Sequence, residues 1–179
     1  IGPVDAVQSE YSLWSRLPDL GMLKTCKDLG VALVSYSPLA RGMLSSTPPN
    51  PADFLDKDFR KNNPRFLEPN LGYNIAHAKT FLAYAGDHGT TATALAIAWG
   101  LARGDHIIPI PGTRSPEHLT ECVAGASLVL TDTMMAEIED ILPAGWAHGD
   151  RYAADNNVAL GAKIARGVAY TLRQRRIQG

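Results

Sequence analysis

Short β-branched segments alternate along this chain with segments of helical periodicity, and this alternation restricts the fold more than any other feature. Residues 4–10, 31–36 and 106–110 are predicted strands, each expected to be buried on both faces. The stretch between the first two predicts a helix that begins at Pro18 and ends at Gly30. Strands that alternate with helices indicate a parallel β/α fold, in which functional groups collect where the strands end.

Further helical patterns follow the second strand, separated by one unusually long connection. The patterns cover residues 71–86, 91–103, 116–124 and 131–142. Residues 45–70 are too many for an ordinary connection inside a compact domain, so we expect this segment to cover a ligand. Three strands with this many helices make an incomplete sheet, and its edges are expected to be exposed.

Charge divides the chain into two parts. Residues 1–160 hold 12 basic and 18 acidic side chains, a balance of −6, which gives no electrostatic reason to expect nucleic-acid binding. Residues 161–179 hold five basic side chains and no acidic one, so we treat them as a separate basic tail. Their apolar spacing is that of a weakly amphipathic helix, although a loose extension is the more common meaning of such a tail.

Composition favours an ordinary globular protein. Hydrophobic residues make up 45 % of the 179 positions, which is enough for one domain or part of one. No apolar run reaches the roughly 20 residues that span a bilayer, so we expect a cytoplasmic protein with no membrane partner. Cys26 and Cys122 cannot form a disulfide framework and have no zinc-ligand spacing, and no metal site is predicted.

The loop after the second strand has the residue types that suit a phosphorylated, planar ligand. Tyr36 can stack on a flat heterocycle. Arg41 and the backbone N–H groups near Gly42 can hold a pyrophosphate through charge-assisted hydrogen bonds. An ordinary β/α turn is an equally good interpretation of this loop taken alone.

The loop after the third strand has the features of an anion site. Ser115 and Pro116 predict the start of a helix, and a helix that starts after a strand binds anions at its amino end. Gly112 permits close backbone approach, Thr113 offers a hydroxyl, and Arg114 supplies a fixed positive charge suited to a phosphate monoester. Taken alone, a capped helix without a ligand is the more common outcome.

Three ordered segments resemble the aldo/keto reductase family. They read VQSEYS at 7–12, YSPLARG at 36–42 and IPIPGT at 108–113, and they are similar to strands six, seven and eight of the family's barrel. The resemblance covers about residues 1–160 and corresponds to the C-terminal half of the family. It implies a partial (β/α)8 TIM barrel, incomplete alone, that uses NADP(H) to reduce an aldehyde or ketone to an alcohol.

The resemblance also implies which residues bind the cofactor. Gln8 would hydrogen-bond to the nicotinamide carboxamide, and Tyr36 would stack on the nicotinamide ring. Residues 37–42 would follow the pyrophosphate, and residues 112–114 would bind the 2′-phosphoadenosine end. The complete implied set is Gln8, Tyr36, Ser37, Pro38, Leu39, Arg41, Gly42, Gly112, Thr113, Arg114, His118, Glu121 and Cys122.

Two positions at the adenine end depart from the family pattern. His118 stands where Arg or Gln is usual, and Cys122 stands where Asn commonly contacts adenine. A lost amide costs about 1–3 kcal/mol if its partner stays unsatisfied, although water can take its place. The departures therefore affect cofactor affinity more than cofactor class.

The family's proton-donor tyrosine and its lysine, aspartate and histidine partners come from strands two to four, upstream of this sequence. No catalytic residue is therefore assigned. The expected partners are a small carbonyl substrate and either the missing N-terminal half or a second copy of the chain. Three hypotheses stay open: the cofactor-binding half of a reductase, a non-catalytic NADP(H)-binding or interaction module, and an inactive truncated product.

Overall fold

The computed structural model describes residues 2–153, and within them three parallel strands form one sheet. The strands lie side by side in the order β1 (Ala6–Glu10), β2 (Ala32–Tyr36) and β3 (Ile107–Ile110). Val34 of β2 lies beside Gln8 of β1 and beside Ile108 of β3. The predicted parallel β/α organisation is confirmed. The predicted basic tail, residues 161–179, lies outside the described residues.

The helices follow the predicted order. They are α1 (Met22–Asp28), α2 (Asn70–Asp87), α3 (Ala92–Ala102), α4 (Pro116–Ser127) and α5 (Asp132–Ile141). The helices α3, α4 and α5 each begin at a capping residue whose side-chain hydroxyl accepts a hydrogen bond from the backbone N–H three residues later. The capping residues are Thr91, Ser115 and Thr131. The cap predicted at Ser115 is therefore confirmed. Within residues 2–153, none of these helices is both long and apolar enough to cross a membrane.

The helix predicted from Pro18 to Gly30 is wrong at its start. Residues Leu17–Leu20 form a short 3-10 helix, and Gly21 then takes a φ of 133°, which no helical residue adopts. The α-helix therefore begins only at Met22. Its end agrees with the prediction, because Gly30 follows the last turn with a φ of 66°, the left-handed conformation that closes many helices.

The two faces of the sheet differ in burial. One face is covered by helices, and Leu33, Ser35 and Ile107 are buried there. On the opposite face Ile108 is 50 % exposed and Ile110 is 42 % exposed. The prediction that each strand is buried on both faces is therefore wrong, because within residues 2–153 no helix or strand covers Ile108 and Ile110 on the second face.

Residues 45–70 form a series of short turns that pack against the core. Three 3-10 helices lie within this segment. Each is capped by a side chain that accepts a hydrogen bond from the backbone N–H two residues later, and the three capping residues are Asn50, Asp58 and Asn63. Phe66 is buried and stacks on Trp14 with 5.7 Å between ring centroids. These contacts hold the segment beside the carboxyl ends of the strands.

Candidate cofactor-binding site

A groove of about 1140 Å³ lies where β2 and β3 end. The loop after β2, the loop after β3 and residues 45–60 form its walls. Most of the residues that the sequence assigns to a cofactor lie together in this groove: Ser37, Pro38, Leu39, Arg41, Gly42, Gly112, Thr113, Arg114 and His118. Gln8, Tyr36, Glu121 and Cys122 lie outside its lining.

The loop after β2 is strained. Ser37, Ala40 and Arg41 have φ values of 52°, 54° and 58°, a region that side chains other than glycine rarely occupy. Gly42 follows with a φ of 97°. The turn is closed by a 2.9 Å hydrogen bond from the Ala40 N–H to the Ser37 carbonyl. Such strain persists only where surrounding structure enforces it, and it concentrates at ligand sites.

The guanidinium of Arg41 points to a buried carboxylate. Its Nη2 lies 3.2 Å from Oε2 of Glu10, and its Nη1 donates to the main-chain oxygen of Arg151 at 3.2 Å. The group also lies over the rings of Phe59 and Tyr152, and the side chain is 8 % exposed. A pyrophosphate would therefore compete with Glu10 for this positive charge.

Glu10 is the centre of a cluster of charges that sequence reasoning missed. Its side chain is 1 % exposed, accepts 2.6 Å and 3.2 Å hydrogen bonds from Arg151 and Arg41, and accepts another from Ser15. Burial alone raises the pKa of a carboxyl, but the charges of Arg41 and Arg151 and the hydrogen bonds hold the pKa of Glu10 below its usual value. The carboxylate therefore stays ionised although it is buried.

Positive charge exceeds negative charge around Glu10. Burial lowers the pKa of Arg65 to about 10, and the charges of Arg41 and Arg151 act in the same direction, while Glu10 opposes them. Arg65 is held by the main-chain oxygens of Trp14 and Gly149. No pattern of residues close together in the sequence predicts this cluster. Its sequence signals are the NPRF segment at 63–66 and the Arg-Tyr pair at 151–152, both of which resemble members of the aldo/keto reductase family.

Arg60 is a second groove cation that sequence reasoning did not assign. Its Nη1 donates to the main-chain oxygen of Arg41 at 3.3 Å, and its Nη2 pairs with Asp58 at 2.7 Å. The guanidinium also lies 4.2 Å from the centre of the Phe54 ring. These contacts connect residues 54–60 to the strained loop. The sequence feature that indicates Arg60 is its position two residues after Asp58, which caps the 3-10 helix.

The loop after β3 brings several polar groups to the amino end of α4. Arg114 and His118 are exposed there. Oε1 of Glu121 accepts a 2.8 Å hydrogen bond from Ser46, whereas its Oε2 is buried and has no partner among the described residues. Buried oxygens are nearly always satisfied, so this one marks a place where a donor is missing.

Cys122 of α4 is buried and does not form part of the groove lining. Burial raises the pKa of its thiol, and the charge of Glu121 adds to that effect. The thiol is therefore protonated at neutral pH. The structure therefore does not bring Cys122 into the groove, and its role at the adenine end stays a prediction.

Tyr36 and Gln8 lie on the uncovered face of the sheet, beside the groove. The hydroxyl of Tyr36 accepts a 2.7 Å hydrogen bond from Nη2 of Arg151 and lies 3.4 Å from the hydroxyl of Tyr152. Burial and the contact with Tyr152 raise the pKa of Tyr36 to about 12. Gln8 is exposed.

A parallel sheet with a groove at the carboxyl ends of its strands defines a β/α protein, and the groove lies where proteins of that class typically bind ligands. The model of the aldo/keto reductase family matches residues 2–143, and the chain belongs to that family. The curated relative Aldo-keto reductase yakc [NADP(+)] of Schizosaccharomyces pombe is 34 % identical over 168 residues, which are 92 % of this chain and 46 % of the relative. The chain thus spans about half the length of that relative.

Two solved structures of the family share the fold. The glycerol dehydrogenase AKR11B4 from Gluconobacter oxydans matches with a TM-score of 0.71 and 26 % identity, over 79 % of this chain and 43 % of that one. The thermostable aldo-keto reductase Tm1743, solved with the inhibitor epalrestat, matches with a TM-score of 0.54 and 25 % identity, over 78 % of this chain and 40 % of that one.

Proposed function

We propose that this chain is the cofactor-binding half of an NADP(H)-dependent aldo/keto reductase that acts on an aldehyde or ketone. The observation that carries the proposal is the groove, which unites the residues of two separate loops that the family resemblance assigns to one cofactor. The relative from Schizosaccharomyces pombe bears NADP(+) in its name, which supports the choice of cofactor. When bound, NADPH supplies the hydride for reduction of a carbonyl.

The adenine end of the groove offers positive charge. Glu121 lies outside the groove lining, and its buried Oε2 has no partner among the described residues, so an exocyclic N–H of adenine that reached it would be a donor of the kind it lacks. Arg114 is exposed beside the amino end of α4, where the helix dipole and the guanidinium both favour a phosphate. We assign Arg114 to the 2′-phosphate that distinguishes NADP(H) from NAD(H).

In the middle of the groove, main-chain groups and the side chain of Arg60 can hold a pyrophosphate. The positive φ values of Ala40, Arg41 and Gly42 bring the backbone to the groove wall. Arg60 holds its charge over this turn through its bond to the Arg41 carbonyl. Arg41 pairs with Glu10 and is 8 % exposed, whereas Arg60 pairs with Asp58 and is 25 % exposed, so the less buried Arg60 can turn toward a phosphate at lower cost.

The nicotinamide end is assigned to Tyr36 and Gln8 on the uncovered face. An aromatic ring at a strand end can stack on the nicotinamide, and a primary amide can hydrogen-bond to its carboxamide. The proton donor is assigned to the part of the barrel that this sequence does not contain.

The exposed apolar groups support a barrel that is completed by other strands. Besides Ile108 and Ile110, Leu119 and Val123 lie exposed one turn apart on α4. We assign residues 1–160 to the C-terminal part of a (β/α)8 domain whose N-terminal half, or failing that a second copy of the chain, covers these side chains.

The first test is cofactor binding by the complete 179-residue chain. We expect NADPH to quench the tryptophan fluorescence and to bind at least tenfold more tightly than NADH, since one charge-assisted contact is worth about 1.5–3 kcal/mol. Failure of both dinucleotides to bind would contradict the proposal and favour an inactive product.

A non-catalytic NADP(H)-binding module is the second candidate, because the groove is formed entirely within this chain. The two candidates separate on the mass of the native protein, captured from its source with an antibody against residues 106–125. A mass well above 19.3 kDa supports the reductase, and a mass near 19.3 kDa supports the binding module.

A further inference from the structure

One guanidinium connects the ends of two neighbouring strands. Nε of Arg151 donates to Oε2 of Glu10 at 2.6 Å, and its Nη2 donates to the hydroxyl of Tyr36 at 2.7 Å. Glu10 and Tyr36 are direct partners in the register of β1 and β2. Because a guanidinium is planar with donors in a fixed fork, the position of the carboxylate determines where the phenol oxygen is held.

The main chain of Arg151 is fixed as well. Its carbonyl accepts a 3.2 Å hydrogen bond from Nη1 of Arg41 and a 2.9 Å hydrogen bond from Nδ2 of Asn63. Asn63 is buried, and its own side chain also caps the last 3-10 helix of residues 45–70. Residue 151 is therefore tied to the strained loop and to the groove-covering segment at the same time.

We propose that Arg151 is a positioning residue that fixes the ring of Tyr36 at the nicotinamide end of the groove. The inference rests on the proposed function, because it takes Tyr36 as the residue that stacks on the nicotinamide. Arg151 itself contacts neither the cofactor nor the substrate in this assignment. It acts through the phenol hydroxyl, which it ties to the buried carboxylate of Glu10.

Substitution by lysine isolates this role from folding. A lysine at position 151 keeps a positive charge for Glu10, and Arg41 still pairs with that carboxylate at 3.2 Å, so no buried charge is left alone. A single ammonium cannot present the two-pronged fork that reaches both Glu10 and Tyr36. Arg151→Lys should therefore free the ring of Tyr36 while the chain stays folded.

The experiment titrates the complete chain with NADPH and with 2′-phospho-ADP-ribose, which shares every part of the cofactor except the nicotinamide. We expect Arg151→Lys to weaken NADPH binding about three- to tenfold, the range of one typical hydrogen bond, and to change the fluorescence lifetime of the bound nicotinamide. Affinity for 2′-phospho-ADP-ribose should not change.

The chain supplies a matched control in a second arginine and tyrosine pair. Nε of Arg103 donates to the hydroxyl of Tyr11 at 3.0 Å, away from the groove lining. Arg103→Lys should leave the affinity for both ligands and the nicotinamide lifetime unchanged. In a Tyr36→Phe background, which removes the phenol hydroxyl, Arg151→Lys should have no further effect on NADPH binding.

The outcomes separate the inference from the proposed function. If wild type prefers NADPH to 2′-phospho-ADP-ribose and Arg151→Lys changes neither affinity nor lifetime, the inference is overturned and the function stands. Equal losses for both ligands mean a general structural role and also overturn it. If wild type binds the two ligands equally, the nicotinamide adds no affinity and Tyr36 has no role in binding it. That result overturns the inference and leaves the proposed function standing. A wild type that binds neither overturns both.

Discussion

Gly125 of α4 packs directly on the main-chain oxygen of Ala94 in α3. A Cβ placed on Gly125 would lie 2.5 Å from that oxygen and 2.8 Å from the Cβ of Ile97. The groups it would meet are backbone and the stem of a side chain, which cannot swing aside. The close approach of these two helices fixes α4, whose amino end forms one wall of the groove.

Gly125→Ala should therefore destabilise the chain. Overpacking of this kind costs about 1–3 kcal/mol, which outweighs the gain of up to about 1 kcal/mol in helix propensity. Gly86→Ala is the matched control, because a Cβ at that helical position meets nothing within 4 Å. Urea unfolding should show a lower midpoint for Gly125→Ala and an equal or higher one for Gly86→Ala. Equal midpoints for both variants would contradict the packing described.

Arg114→Ala should remove the preference for the phosphorylated dinucleotide. Because Arg114 is exposed, its phosphate contact is screened, and we expect NADPH affinity to fall about tenfold while NADH affinity stays within about twofold. Lys79→Ala, which removes an exposed charge from α2, is the control and should change neither. Calorimetric titration measures both ligands. A parallel loss for NADPH and NADH would exclude a 2′-phosphate role for Arg114.

Glu121→Gln should weaken cofactor binding without weakening the fold. The substitution keeps the shape of the side chain but replaces one acceptor oxygen by a donor, so a buried N–H of the ligand loses its partner. A loss of about tenfold or more in NADPH affinity is expected, with an unchanged urea midpoint. Asp140→Asn, an exposed carboxylate on α5, controls for the loss of one negative charge. Unchanged NADPH affinity in Glu121→Gln would remove Glu121 from the site.

Stability should fall in acid partly through Glu10. Its folded-state pKa lies below the ordinary value of 4.5, so the stabilisation it provides is complete above pH 4.5 and is lost as the pH falls through the lowered value. Urea unfolding of wild type and Glu10→Gln between pH 3 and 7 isolates this contribution. The difference in unfolding free energy between the two should shrink as the pH drops below about 4.5. A difference that is constant with pH would contradict the shift.

Local features of the fold could be predicted from the sequence, whereas long-range pairs could not. The cap at Ser115 and the helix end at Gly30 depend on neighbouring residues and were predicted correctly. The failed helix start at Pro18 is also local, but the break at Gly21 cannot be distinguished in sequence from a glycine inside a helix. The partner of Glu10 lies 141 positions further along the chain, and no spacing rule connects them.

In the candidate site, too, the local features could be predicted from the sequence and the long-range contacts could not. The two loops were recognised because each follows a strand, and the fold brought them together as parallel strands must. The exposure of Ile108 and Ile110 was not expected, because a β-branched run indicates burial without indicating what covers it. The role of Arg41 as a phosphate ligand stays a prediction, now with Glu10 as its competitor.

Pro109 gives the two borders of the sheet different tendencies to self-associate. It lies in β3, the last strand of the sheet within residues 2–153, and it has no N–H to offer an incoming strand. β1 forms the opposite border and contains no proline, so no proline interrupts the row of backbone donors and acceptors that it directs away from β2. Aggregation by strand addition should therefore begin at β1, and a lysine or proline introduced on that strand would improve solubility where the same change on β3 would not.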